Sequence, residues 1–297
     1  MAAATARAKI GAADIVDVDG LRPLAGVRGL AGVRVYDVGQ GDGIAILGMD
    51  GEPVLQFDYG GRQGNPFSNA PMADVDMHMP TGGERLLMIS HWDEDHWCSA
   101  PRGQSAKAAR WLVPRQITSP RAVKFSAGLS RISCIPEDHV GQSWRFEAEN
   151  GDAIWWEKIA AAPDVFAREE DCNRTGVALS VVKAGEDGSE PGVILLPGDA
   201  PFDRVGHYRD HFGSGLRLKG LVAFHHGAGT HWTKATEQLL REWSARADVP
   251  QIIYSCSNPN AYEHPQTKRY EDNIPGGVQM RTAVLRGQGV AYTDILF

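Results

Sequence analysis

Ser90-His91-Trp92-Asp93-Glu94-Asp95-His96 follows directly on the apolar run Leu86-Leu87-Met88-Ile89. Four side chains able to bind a metal fall within six residues, at the exit of what reads as a buried strand, where loops present ligands in layered α/β folds. In an extended loop His91 and Asp93 point the same way and can hold one ion, while the adjacent Asp95 and His96 can turn toward a second. A solvated acidic loop with two incidental histidines would look the same in isolation. The rest of the chain decides between the two.

Three further apolar runs end in the same manner. Leu195-Leu196-Pro197-Gly198-Asp199 presents a carboxylate that could bridge two ions, although Gly-Asp after a strand is more often a plain turn. Leu221-Val222-Ala223-Phe224 runs into His225-His226-Gly227, side chains that bind metal or move protons. Gln251 to Cys256 leads into a polar loop with Asn258, Asn260, Glu263 and His264. One such pattern is unremarkable; four in succession point to a metal centre fed by strand ends.

Outward from these stretches the chain reads as strand-rich. Val33 to Val38 alternates as a strand and ends in Gly39-Gln40-Gly41-Asp42-Gly43; Ile44 to Leu47 returns, and Val54 to Asp58 follows as a third strand, making an antiparallel meander. Gln104 to Trp111 reads as a helix, with a strand beginning at Trp111 and short helices around Val123 to Leu129. Ser143 to Ala148, Ala153 to Trp156, Thr175 to Val182 and Val193 to Leu196 read as strands, and Arg281 to Ile295 as a closing hairpin.

Length and composition set the class. A chain of 297 residues, 42% hydrophobic and 23% charged, can bury a full core and reads as a soluble globular protein. A net charge of −7 argues against a surface that grips nucleic acid over its whole extent. No run approaches the roughly 20 apolar residues of a membrane span, and the segment before Val33 lacks the apolar core of a signal peptide, so no membrane partner and a cytoplasmic location are expected. Cys98, Cys134, Cys172 and Cys256 form no C-x-x-C pair and read as reduced thiols.

The order H-x-D-x-D-H, Gly-Asp, His-His-Gly, His-Pro resembles the metallo-β-lactamase superfamily, and within it the branch of the hydrolase domain of the ComEC-type DNA-uptake channel. Val35-Tyr36-Asp37-Val38-Gly39-Gln40-Gly41-Asp42 is similar to that branch's opening strand and turn, and Phe57-Asp58-Tyr59-Gly60 to its next strand. The likeness divides the chain into an N-terminal extension, residues 1–32, and a hydrolase domain, residues 33–297. It implies an α/β fold, a four-layer αβ/βα sandwich, with metals at one edge between two sheets. By the same resemblance His91 and Asp93 bind a first metal, Asp95 and His96 a second, Asp199 bridges them and His264 completes the second site. Asn173 stands where this branch has an Asn-rich motif and is a further ligand or a supporting residue. Asp93 replaces the histidine of typical members, and an oxygen in place of a nitrogen shifts preference toward harder ions. The cofactor expected is therefore two divalent ions, Mn²⁺ or Zn²⁺, with Mg²⁺ as a third choice.

Such a site lowers the pKa of a shared water and neutralises charge on a phosphoryl or carbonyl oxygen. Asp95 and Asp199 would position the nucleophile, and His225 or His226 would protonate the leaving group or stabilise the transition state. Trp92, Trp97, Trp232 and His231 flank these motifs and are candidates for binding substrate, the tryptophans by stacking on a base. His78, His139, His207 and His211 read as surface residues. The expected function is a metal-dependent phosphodiesterase or nuclease with nucleic acid as substrate, and Arg102, Lys107, Arg110, Arg115 and Lys124 as its basic rim. Hydrolysis of a small molecule, such as a cyclic nucleotide or an ester, is the alternative. A metal-retaining module that acts through a protein partner, or as a homo-oligomer, is the third.

Overall fold

The computed structural model describes residues 20–61, 80, 85–116, 118–135, 139–162, 168–185, 188, 190–246, 249–257, 264–288 and 290–297. The stretches 1–19 and 62–79, His78, and the polar loop containing Asn258, Asn260 and Glu263 lie outside the described residues.

Among the described residues, two sheets of seven strands carry the fold. The first holds β1 (Leu30–Tyr36), β2 (Gly43–Gly48), β3 (Pro53–Tyr59), β4 (Leu86–Met88), β5 (Arg110–Pro114) and β6 (Ile132–Ile135), with β14 (Tyr292–Leu296) on its outer edge beside β1. The second holds β7 (Ser143–Glu147), β8 (Ala153–Lys158), β9 (Val177–Lys183), β10 (Gly192–Leu196), β11 (Arg217–Val222), β12 (Gln251–Tyr254) and β13 (Val278–Arg281) in sequence order. Each sheet starts as an antiparallel meander and continues in parallel, from β3 onward in the first and from β10 onward in the second.

Side chains alternate across a strand, and here both faces are apolar. Val33, Val35, Ile44, Ile46, Leu86 and Met88 meet Leu179, Val181, Ile194, Leu196 and Ile253 in a core between the sheets. Leu21, Leu24 and Leu30 are buried in the same core. The intervening residues face outward under helices. Ala45, Leu47, Leu87, Trp111 and Val113 are covered by α1 (Gln104–Ala108) and α2 (Pro120–Gly128). Val193, Leu195 and Leu221 lie under α4 (Gly206–Gly213), α5 (Lys234–Ser244) and α6 (Thr267–Asn273). Among the described residues the other α-helices are α3 (Glu169–Arg174) and α7 (Thr282–Gly287). The result is a four-layer αβ/βα sandwich.

Local sequence accounts for the covering helices. Ser119 caps α2 by accepting the Ala122 N–H at 3.1 Å, with Pro120 in the first turn where its missing N–H costs nothing. Thr233 caps α5 in the same way at 3.0 Å, and Thr236, Leu239, Leu240 and Trp243 make the buried stripe expected of a helix lying on a sheet.

Two expectations change. The helix read over Gln104 to Trp111 ends at Ala108, because Arg110 to Pro114 is taken into the ladder between β4 and β6. The closing hairpin does not form: β13 and β14 belong to different sheets and α7 runs between them.

Candidate metal centre

Four strand ends converge, as the sequence indicates. The turn after β4 carries His91 to His96, that after β10 carries Asp199, that after β11 carries His225 and His226, and the chain beyond β12 returns with His264. All four strands belong to the parallel halves of the two sheets, and C-terminal ends of parallel strands are where ligand-binding loops collect in α/β sheets.

Asp199 is the hinge of the arrangement. Its Oδ2 lies 3.6 Å from His91 Nε2 and 3.7 Å from His225 Nε2. Its Oδ1 lies 3.4 Å from His96 Nε2 and 3.5 Å from His226 Nε2. On the first side Asp93 Oδ2 comes within 3.4 Å of His91 Nε2; on the second, Asp95 Oδ2 is 3.4 Å from His226 Nε2. These separations exceed the ~2.7–3.2 Å of an N–H···O hydrogen bond. They match the edge of a coordination tetrahedron, since donors about 2.1 Å from one ion lie roughly 3.4 Å apart.

Burial makes the same point. His96 Nε2, His226 Nε2 and Asp199 Oδ1 are buried without a hydrogen-bond partner among the described residues, a state that buried polar atoms rarely tolerate. Nitrogen and oxygen donors with unused lone pairs on a shared focus are what a divalent cation requires, so the residues fit one.

The backbone is bent to achieve this. His225 (φ 48°, ψ 47°) and His226 (φ 54°, ψ 20°) are consecutive left-handed residues, followed by Gly227 at φ 85°. Each non-glycine residue in that region costs about 1–3 kcal/mol, and here the cost turns adjacent imidazoles to opposite sides of Asp199. The His225 N–H donates to the Gly198 carbonyl at 3.0 Å, tying the histidine turn to the aspartate turn. The carbonyl of Asp95 packs so closely on the turn after β3 that a Cβ at Gly60 would sit 1.9 Å from it.

A layer of supporting residues lies behind the donors. Asp58, at φ 57° and fully buried, accepts from the Ser90 N–H (2.6 Å) and Ser90 Oγ (2.7 Å) and lies 2.8 Å from His96 Nδ1. A proton on Nδ1 directed at Asp58 leaves Nε2 free for a cation, the usual way a carboxylate orients a metal-binding histidine. Asp42 stands in the corresponding place for His226, 3.6 Å from its Nδ1. Sequence reading placed Asp42 and Asp58 only as turn and strand residues. The strand-exit rule that singled out Asp199 applies equally to Asp58, at the end of a strand otherwise buried.

The charges balance one another. Burial works to raise the Asp95 and Asp199 carboxyls, but His226 and His96 hold both down, Asp95 to about 2 and Asp199 well below the usual range. Burial is the largest single influence on His96 and His226 and works to lower them, yet the carboxylates together outweigh it, Asp199 first with Asp58 for His96 and with Asp42 and Asp95 for His226, and both rise well above an ordinary imidazole. His225, His231 and His264 go the other way: burial lowers all three, His264 to about 4, so they are neutral at pH 7.

The structure sorts the remaining candidates. His226, not His264, stands against Asp95, His96 and Asp199. His264 packs outside His225, ring centroids 5.8 Å apart, with His231 at 5.3 Å on the same ring. Asn173 is buried on α3, ahead of Gly176, whose backbone packs on Ser90 and His91. Trp92 and Trp97 are core residues, 1% and 3% exposed, their indole N–H groups given to the Pro114 and Trp92 carbonyls. Trp232 is half-buried against Phe224 and Tyr270. His207 and His211 are not surface residues but lie buried between α4 and β8–β9.

No protein-family model matches the chain, and no curated protein does. Among solved structures it is similar to the metallo-β-lactamase fold protein YhfI from Bacillus subtilis, at 13% identity over 84% of this chain and 96% of that one, with a TM-score of 0.44. It is also similar to Zn²⁺-bound PqqB from Methylobacterium extorquens, at 12% identity over 81% of this chain and 85% of that one, with a TM-score of 0.40. No helix among the described residues is long and apolar enough to cross a membrane.

Proposed function

We propose that this protein is a metal-dependent hydrolase of phosphodiester bonds, with two divalent ions held on either side of Asp199. The observation that carries the reading is the pairing of each Asp199 oxygen with its own two imidazoles at 3.4–3.7 Å. His91, Asp93, Asp199 and His225 would hold the first ion, and Asp95, His96, Asp199 and His226 the second. What divalent ions supply there is a lowered pKa for water and neutralisation of charge on a phosphoryl oxygen.

The chain's own residues do the rest. Asp58 fixes the ring orientation of His96, and Asp42 places a negative charge beside His226. His225, 18% exposed at its side chain, has Nδ1 2.8 Å from Thr230 Oγ1, a contact that steadies the ring. His231 and His264, neutral beside it, would hydrogen-bond the oxygens of the substrate, take the proton that the attacking water gives up and pass it to the departing alkoxide. DNA is the substrate favoured by the likeness of residues 35–42 to the DNA-uptake branch. A small phosphodiester is the second reading, favoured by the net charge of −7.

The test is cleavage of labelled single- and double-stranded DNA and of a small phosphodiester by purified protein with Mn²⁺, Zn²⁺ or Mg²⁺, beside Asp95→Ala. DNA cut by wild type alone supports the first reading, and turnover of the small ester alone supports the second. Function that survives Asp95→Ala would point instead to a module working through a partner.

A further inference from the structure

The turn that bears Asp95 and His96 has a second side. There Glu94, Trp97 and Cys98 join α1 and α2 in enclosing a cavity of about 480 Å³, within the size range of small-molecule sites. None of the side chains facing Asp199 lines it. We propose that this cavity binds a small organic anion carrying a flat ring, of the nucleoside monophosphate class, independently of the metal centre.

Three observations converge on that chemistry. Lys107, Arg121 and Lys124 stand around the cavity against a single carboxylate, Glu94. Arg121 is held by Glu94 at 2.5 Å, whereas Lys107 and Lys124 have no ion-pair partner among the described residues. Two unneutralised cations facing one concave space raise the local concentration of anions, an effect that low-dielectric walls focus. The walls are apolar: Phe125 and Trp97 stack at 5.0 Å with an interplanar angle of 10°, and Leu129 and Pro101 complete them. Trp97 is buried and Phe125 only partly so, which leaves the phenyl group as the aromatic surface for a planar ligand to contact.

Lys107 and Lys124 come from different helices, α1 and α2, and meet only because both helices cover the same outer face of the first sheet. The sequence groups them with Arg102, Arg110 and Arg115 as a basic rim; the fold brings Lys107 and Lys124 to this pocket. A phosphate seated there would also compete with Glu94 for Arg121.

Isothermal titration of the metal-loaded protein with adenosine 5′-monophosphate tests the assignment, with adenosine and inorganic phosphate as controls. Saturable binding is expected, with a dissociation constant raised at least tenfold by Lys107→Glu/Lys124→Glu, raised by Phe125→Leu, and unchanged by Asp199→Asn. Both lysines are exposed, so the double variant should keep its fold, checked by circular dichroism. Absence of saturable heat at millimolar nucleotide overturns the proposal. So does adenosine binding as tightly as its phosphate, or a dissociation constant that Asp199→Asn changes and the double substitution does not.

Discussion

Two buried clusters of histidine and acid, one at the strand ends around Asp199 and one beneath α4, differ in spacing rather than composition. Around Asp199 the imidazole nitrogens and carboxylate oxygens stand 3.4–3.7 Å apart, with donors left unused. Beneath α4, Glu157 lies 3.1 Å from His207 Nδ1 and accepts the N–H groups of Gly206 (3.2 Å) and His207 (3.0 Å), while Ser180 Oγ bonds His211 Nε2 at 2.8 Å. The second cluster is drawn together by hydrogen bonds of 2.8–3.2 Å, with only His207 Nε2 left over, and it caps the start of α4, which has no capping side chain of its own. The first stays open by about the width of a coordinated cation. Residue type alone would not separate a metal site from a structural network; the gap between the atoms does.

The sharpest way to break that contrast is Asp199→Asn. It removes the carboxylate shared by both sides, so bound metal measured by elemental analysis should fall, and turnover should drop by a factor on the order of 10³, about 4 kcal/mol of barrier. Retained metal and activity would mean that the open cluster is only another polar network.

Asp58→Asn should do less, because it loosens His96 without deleting a donor. Metal affinity by competition with a chelator should fall roughly 10–100-fold, the range for losing such a support, and an unchanged affinity would remove Asp58 from the site. Glu157→Gln should show the converse pattern. Metal content and turnover should be unaffected, while stability in urea falls by about 1–3 kcal/mol, the cost of weakening a buried acceptor with three donors.

The smallest effect concerns pH. Burial lowers His211 to about 3, so the folded protein binds that proton more weakly than the unfolded chain does. Its contribution is complete above about pH 6.5 and is lost as pH falls toward 3. His211→Gln, which can still meet Ser180, should flatten the decline of Tm between pH 6.5 and 4. An identical slope would show that other groups govern acid stability.

Much of this was legible in the sequence, and the limits have physical causes. Apolar runs ending in His, Asp or His-His announce strands that deliver ligands, since a loop at a strand exit is the one place where a buried sheet meets its site. The opening meander and the three turns that converge on Asp199 could be read from the sequence. The choice between His226 and His264 could not, because it depends on two consecutive left-handed residues that no periodicity reveals. Asp58 was hidden for a related reason: its role rests on contact with Ser90 and His96, 32 and 38 residues away. The tryptophans misled because flanking a motif in sequence says nothing about which way a ring turns, and Trp92 and Trp97 turn inward.

The position of β14 bears on the order of assembly. Residues 292–296 pair with β1 only after the whole second sheet has been synthesised, and Ile295 is packed against Gly220 of β11. During translation the first meander therefore waits with the edge of β1 open, and an open edge is a template for pairing with another chain. The final strand acts as a latch: it covers that edge and joins the early half of the polypeptide to the late half in one movement.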